Sequence, residues 1–135
     1  MAALYLLDTN ILIAALKGHP AVRARLESTP LDSLRLSTVV LGELEFGAEK
    51  SAYAERNRNR LAELTRRLPL LGLDAETAAC YGRIRSHLER LGTPIGANDL
   101  WIAAQAQRHG ATVVTDNLRE FERVPGLGVE NWLVG

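Results

Sequence analysis

The chain has 135 residues, 47% hydrophobic and 24% charged, and its sixteen basic and sixteen acidic side chains cancel. That length suits one domain of about 100–200 residues with a real core, and the neutral balance gives no general attraction to nucleic acid or membrane. One cysteine excludes an internal disulfide and a thiolate zinc cluster. The apolar runs Met1–Leu7 and Ile11–Leu16, split by Asp8, fall well short of the roughly 18 residues of a membrane span, and no basic segment precedes them. A soluble, cytoplasmic protein is expected, with a single domain over residues 1–135.

Strand and helix signals alternate along the chain. Ala3-Leu4-Tyr5-Leu6-Leu7 is a short continuous apolar run, which marks a strand buried on both faces. Asp8-Thr9-Asn10 supplies N-cap chemistry for a helix through Ile11–Leu16 that Gly18 closes. Pro20 suits the first turn of a second helix, through Glu27. Leu34-Arg35-Leu36 reads as a strand, and Ser37 or Thr38 can cap a long helix from near Val39 past Glu49. Residues 55–67 form a charged helical segment, and Leu70–Leu73 is another apolar run. Asp74 caps a helix from Ala75 to Leu91 whose apolar stripe is Cys80, Ile84, Leu88 and Leu91. Asn98 or Asp99 starts a helix stopped at Gly110. Ala111–Thr115 is β-branched and strand-like; a short turn with Phe121 follows, and Val129–Leu133 can add a last strand. Short apolar strands alternating with helices predict an α/β fold: an open, doubly wound parallel sheet with helices on both faces.

In such a sheet, ligands sit beyond the carboxyl ends of the strands. Asp8 directly follows the first strand and Asp116 follows Val113-Val114-Thr115, so the two share an edge if those strands are parallel. Asp99 opens a helix, and Glu43 lies one turn into the helix after Leu34–Leu36; helices that follow parallel strands begin at that edge. Singly, these acids read as N-caps, a turn former and a solvated helix residue. Their joint placement is what those readings explain badly. Four neighbouring carboxylates repel and need a counter-charge, and oxygen donors without His or Cys favour a hard cation, Mg2+ or Mn2+. Glu45, roughly 200° around the helix from Glu43, falls outside the group.

Four segments resemble the motifs of PIN-domain proteins, specifically the VapC-type toxins of bacterial toxin–antitoxin pairs. They are Leu6–Ile13 around Asp8-Thr9-Asn10, Glu43–Gly47, Pro94–Ala104 around Asn98-Asp99, and Val114–Asn117 with Arg119-Glu120-Phe121 and Pro125-Gly126-Leu127. The resemblance runs from Leu4 to Trp132 in the expected order. It implies a metal-dependent endoribonuclease, a toxin that cuts cellular RNA, forms a homodimer and is restrained by a cognate antitoxin. By that resemblance Asp8, Glu43 and Asp99 are the core ligands of Mg2+ or Mn2+, and Asp116 matches a less constant fourth acid. Thr9 and Asn10 would hold the first carboxylate through side-chain hydrogen bonds and Asn98 would hold Asp99. Thr115 or Asn117 could share Asp116's role of orienting a ligand or water.

Other features admit two readings each. The Arg-rich segment Glu55–Arg67 reads as a solvated face with a Glu63–Arg67 pair, or as an RNA-backbone contact. Phe46 and Trp101 are core, or line a groove for an antitoxin segment or a base. Gly47, on the face of Glu43, marks close helix packing or ligand approach. Cys80 reads as inert core, and the three histidines lack the paired spacing of a catalytic set. The rival to an enzyme is a non-catalytic PIN-like scaffold for RNA or protein, which has little use for four repelling acids. A phosphoacceptor receiver needs an acidic pair after the first strand and a late lysine, whereas here both lysines precede residue 51. Glycine-rich nucleotide motifs are absent.

Overall fold

The computed structural model describes residues 3–134; residues 1, 2 and 135, the ends of the expected 1–135 domain, lie outside the described residues. The first strand, β1 (Tyr5–Leu7), pairs on one side with β2 (Leu34–Ser37) and on the other with β4 (Thr112–Val114). The edges are β3 (Leu70–Leu71), beside β2, and β5 (Val129–Glu130), beside β4. Every pairing is parallel and the order is β3-β2-β1-β4-β5. Successive residues of a strand point to opposite faces. Leu6 and Leu7 are both fully buried, so both faces of the centre are covered, as the unbroken apolar run predicts.

The helices are α1 (Thr9–Leu16), α2 (Pro20–Ser28), α3 (Thr38–Lys50), α4 (Ala54–Arg67), α5 (Ala75–Arg90), α6 (Ala97–His109) and the single turn α7 (Leu118–Phe121). Asp8, Ser37 and Asp74 cap α1, α3 and α5 through side-chain oxygens, and Gly110 ends α6 at φ 64°, which a side chain would strain. The most buried helix is α6, where Leu100, Ile102, Ala103, Ala104, Gln105 and Ala106 are all inside. The run of alanines lets α5 and α3 approach it closely.

The winding of the sheet reverses between β1 and β4: β2 and β3 build outward on one side, β5 on the other. Asp8 follows β1 and Asp116 follows β4, so these acids flank the reversal, where parallel sheets leave a crevice at their carboxyl edge. The expected strand at Leu70–Leu73 stops at Leu71, and that at Val129–Leu133 stops at Glu130, beyond which Trp132 turns inward and is buried. Among the described residues no helix is long and apolar enough to cross a membrane.

One route to the site edge differs from expectation. Asp99 does not lie on a helix that follows a strand, because α6 follows α5. Arg108, near the end of α6, reaches Asp74 and Glu76 at the start of α5, at 3.8 and 3.0 Å, so the two helices are antiparallel. Since α6 must return to the amino edge to feed β4, it begins at the carboxyl edge and brings Asp99 with it.

Candidate active site

Asp8 is the most enclosed of the four acids, 6% exposed at the junction of β1 and α1. Its Oδ1 accepts the backbone N–H of Thr9 at 2.8 Å, and its Oδ2 accepts the hydroxyl of Thr115 at 2.8 Å. The backbone N–H of Asp8 donates to Val114 at 2.9 Å. The carboxylate is therefore fixed from both strands that flank the reversal. Burial raises its pKa; the bonds from Thr115 and Thr9 oppose that, and the charges of Glu43 and Asp116 add to it.

Glu43, on α3, takes the hydroxyl of Thr9 on Oε2 at 2.8 Å and the amide of Asn98 on Oε1 at 3.0 Å, which joins α1, α3 and α6. Asp116 is exposed, and its Oδ1 accepts the amide of Asn10 at 3.1 Å. Asp99, half-buried on the first turn of α6, accepts the amide of Asn117 on Oδ2 at 3.3 Å. Its pKa is pushed up to about 7, first by burial, then by donating a proton to Glu120, then by the charges of Asp8, Glu120 and Glu43.

Glu120 is the acid that sequence reasoning quoted without assigning. Its Oε1 accepts the backbone N–H of Gly96 at 2.9 Å, and its Oε2 accepts the amide of Asn117. These bonds hold its carboxyl below the ordinary value, so of the pair Asp99 carries the proton. A Cβ built on Gly96 would lie 3.9 Å from both Asp99 Oδ2 and Glu120 Oε1, so both carboxyls border this turn. The available signal was spacing: Glu120 lies four residues after Asp116, in the short apolar-flanked turn with Phe121.

The supporting donors are the expected residues with partners exchanged. Thr9 and Asn10 do not both turn to Asp8. Thr9 gives Asp8 only its backbone N–H, its hydroxyl serving Glu43, and Asn10 serves Asp116. Successive residues on a helix diverge by about 100°, so side chains just after a cap face different neighbours. For the same reason Asn98 points to Glu43 and not to Asp99. Asn117 orients Asp99 and Glu120, and Thr115 orients Asp8 while accepting the N–H of Asn117 at 2.9 Å; neither duplicates Asp116.

Among the described residues no Lys, Arg or His comes within 4.0 Å of Asp8, Glu43, Asp99, Asp116 or Glu120. Nor are three of the acids already closed around one point as a coordination shell. The donor chemistry still fits a hard cation. All donors are oxygens, and their orienting partners are neutral hydroxyls and amides, which leaves the negative charge of the group for a cation to balance.

The remaining candidates separate cleanly. Glu45 is exposed and outside the group. Phe46 is 64% exposed, with Lys50 over its ring at 5.0 Å, so it is not core. Trp101 stacks on Tyr81 with ring centroids 3.9 Å apart. Cys80 is buried. His19 caps α2 through Nδ1. A Cβ at Gly47 would meet nothing within 4 Å, so close helix packing does not explain this glycine. The expected Glu63–Arg67 pair is not among the described ion pairs; on α4, Arg58 instead reaches back to Glu49 on α3.

The family model of the PIN domain matches residues 5–127. The tRNA(fMet)-specific endonuclease VapC of Salmonella typhimurium is 42% identical over 129 residues, covering 95% of this chain and 97% of that protein. Ribonuclease VapC2 of Rickettsia felis is 40% identical over 131 residues, covering 96% and 98%. The crystal structure of DNA-bound VapBC from Salmonella typhimurium superposes with a TM-score of 0.90 at 41% identity, over 97% of this chain and 99% of that one. That of VapBC2 from Rickettsia felis bound to a promoter DNA fragment gives 0.87 at 38% identity, over 96% and 98%.

Proposed function

This chain belongs to the PIN domain family, and from that footing we propose that it is the toxin of a type II toxin–antitoxin pair, an endoribonuclease that depends on Mg2+ or Mn2+ and is inhibited by a cognate antitoxin. The observation that carries the reading is the convergence of Asp8, Glu43, Asp99 and Asp116 at the reversal of the sheet, each held by neutral donors and, among the described residues, none paired with a cation. Relatives named ribonuclease VapC and structures of VapBC complexes support the RNA substrate and the antitoxin. An RNA target places its action in the cytoplasm, and the working unit is a homodimer within a toxin–antitoxin assembly.

Asp8, Glu43 and Asp99 would hold the cation, with Asp116 nearer solvent. Bound there, Mg2+ or Mn2+ supplies a Lewis acid that activates water and neutralises charge on the phosphate. The chain's own residues prepare that chemistry. Thr9 and Thr115 fix the plane of the Asp8 carboxylate, and Thr9 with Asn98 fixes that of Glu43. Asn117 donates to Asp99 and Glu120 accepts its proton, so the two position the Asp99 carboxyl that would face the cation.

The test is cleavage of tRNA(fMet) and of a total RNA pool, with Mg2+, Mn2+ or EDTA, by wild type, Asp8→Asn and Asp99→Asn purified identically. Metal-dependent cuts lost in both variants support the reading. Metal binding without cleavage of any RNA would favour the non-catalytic PIN-like scaffold.

A further inference from the structure

Two side chains of the α7 turn reach across to the loop that launches α6. The carboxylate of Glu120 accepts the backbone N–H of Gly96 at 2.9 Å, and the guanidinium of Arg123 donates to the carbonyl of Pro94 at 2.8 Å. Arg123 lies just past α7, and its backbone N–H donates to the carbonyl of Glu120 at 3.1 Å, so the turn continues. Three residues apart, the two side chains leave that turn on one face. The turn is firmly seated, because Phe121 and Val124 are buried in the core. One acceptor and one donor thus grip one N–H and one C=O of the same loop. Among the described hydrogen bonds, these are the only ones that tie residues 94–96 to anything but α6 itself.

The grip matters because of what the loop carries. No capping side chain fixes the point at which α6 begins. Asn98 and Asp99 lie in its first turn, Asn98 bonded to Glu43 and Asp99 beside Glu120. Asp99 is three residues beyond Gly96, about 4.5 Å along the helix axis, so a shift of the loop passes to both side chains. A metal ligand tolerates only about 0.2 Å in its distance to the ion. We propose that Arg123 is a positioning residue: through Pro94 it fixes the entry of α6, and so holds Asn98 and Asp99 in the geometry that accepts the cation. It does this while forming no described ion pair with any acid of the site. The inference rests on the metal-site reading above. Simple electrostatics requires the opposite effect. A guanidinium near the acids repels an arriving cation, so loss of its charge alone would tighten metal binding. The sign of the change separates a clamp from a field.

The test is the dissociation constant of Mn2+ at neutral pH, read from the electron paramagnetic resonance signal of the free ion, with thermal melts in EDTA to establish that each variant is folded at the assay temperature. Arg123→Met weakens Mn2+ binding by about 10-fold, the lower end of what the loss of an orienting partner costs. Arg123→Lys, which keeps the charge and one donor, binds like the wild type. Arg119→Met removes the same charge from the same turn but no described hydrogen bond, and it binds Mn2+ as tightly as the wild type or more tightly. Should Arg123→Met not fold, Arg123→Gln, too short to reach Pro94, takes its place under the same criteria. The proposal falls if Arg123→Met keeps or gains affinity, which is what removal of a charge alone produces. It falls equally if Arg123→Lys or Arg119→Met loses as much affinity as Arg123→Met. A wild type that binds no Mn2+ would remove the metal-site reading itself, and this inference with it.

Discussion

Asp99→Asn should stabilise the metal-free protein at neutral to alkaline pH and do almost nothing to its stability in acid. The pKa of Asp99 is raised from 3.8 to about 7 in the folded chain, so between those values the folded state binds a proton that the unfolded state has released. The contribution of Asp99 therefore turns unfavourable as pH rises from about 4 to 7, and the full cost is present above 7. A shift of about 3 units corresponds to a ceiling of roughly 4 kcal/mol. The side chain is half-exposed, and solvent screening reduces the figure to about 1–2 kcal/mol. Losing a carboxylate from the first turn of α6 offsets about 0.5 kcal/mol of that through the helix dipole. Asparagine otherwise suits the position, since its amide can donate to Glu120 as the protonated acid does and its oxygen can accept from Asn117. A net gain near 1 kcal/mol raises the melting temperature of a chain this size by roughly 3–5 °C. Thermal melts in EDTA at pH 8 and pH 4 read it directly, with the gain at pH 8 vanishing at pH 4. Added Mn2+ should reverse the order by stabilising the wild type alone. A variant that is less stable than wild type at pH 8 in EDTA, or differs equally at both pH values, would make Asp99 a structural group and refute the reasoning.

Two further substitutions separate site from scaffold. Thr115→Val keeps the shape of a buried residue but removes the hydroxyl that orients Asp8 Oδ2. Calorimetry should find Mn2+ binding weakened by about 10–100-fold; an unchanged affinity would mean Asp8 is oriented without it. Gln105 is fully buried on α6, accepting the Ser37 hydroxyl and donating to the carbonyls of Leu71 and Gly72 at 2.9 and 3.1 Å. Gln105→Leu strands those groups and should cost about 2–4 kcal/mol in urea unfolding, with cleavage per folded molecule preserved; loss of activity without loss of stability would contradict a purely structural role.

What was legible in the sequence was the position of acids along the chain. Asp8 directly follows β1 and Asp116 follows β4 after Thr115, so the parallel sheet alone decides their edge. Hydrogen-bond partners were not legible, because they depend on angles around helix axes and on which elements meet. The start of α6 shows the connection. Capping by Asn98 or Asp99 was expected, yet the helix begins at Ala97 after Gly96, which offers no capping side chain. The two residues that could cap are engaged elsewhere, Asn98 with Glu43 and Asp99 with Glu120. Glu120 was missed for a related reason. A single helical turn has no periodicity to read, and its role comes from α7 packing near the loop before α6.

The most direct test of the central claim is anomalous diffraction from a crystal of the purified toxin soaked in Mn2+. An anomalous peak in coordination contact with Asp8, Glu43 and Asp99, absent in Asp8→Asn crystals, is the predicted result. A crystal with no manganese at the acids, from protein that still cuts RNA in EDTA, would contradict the account.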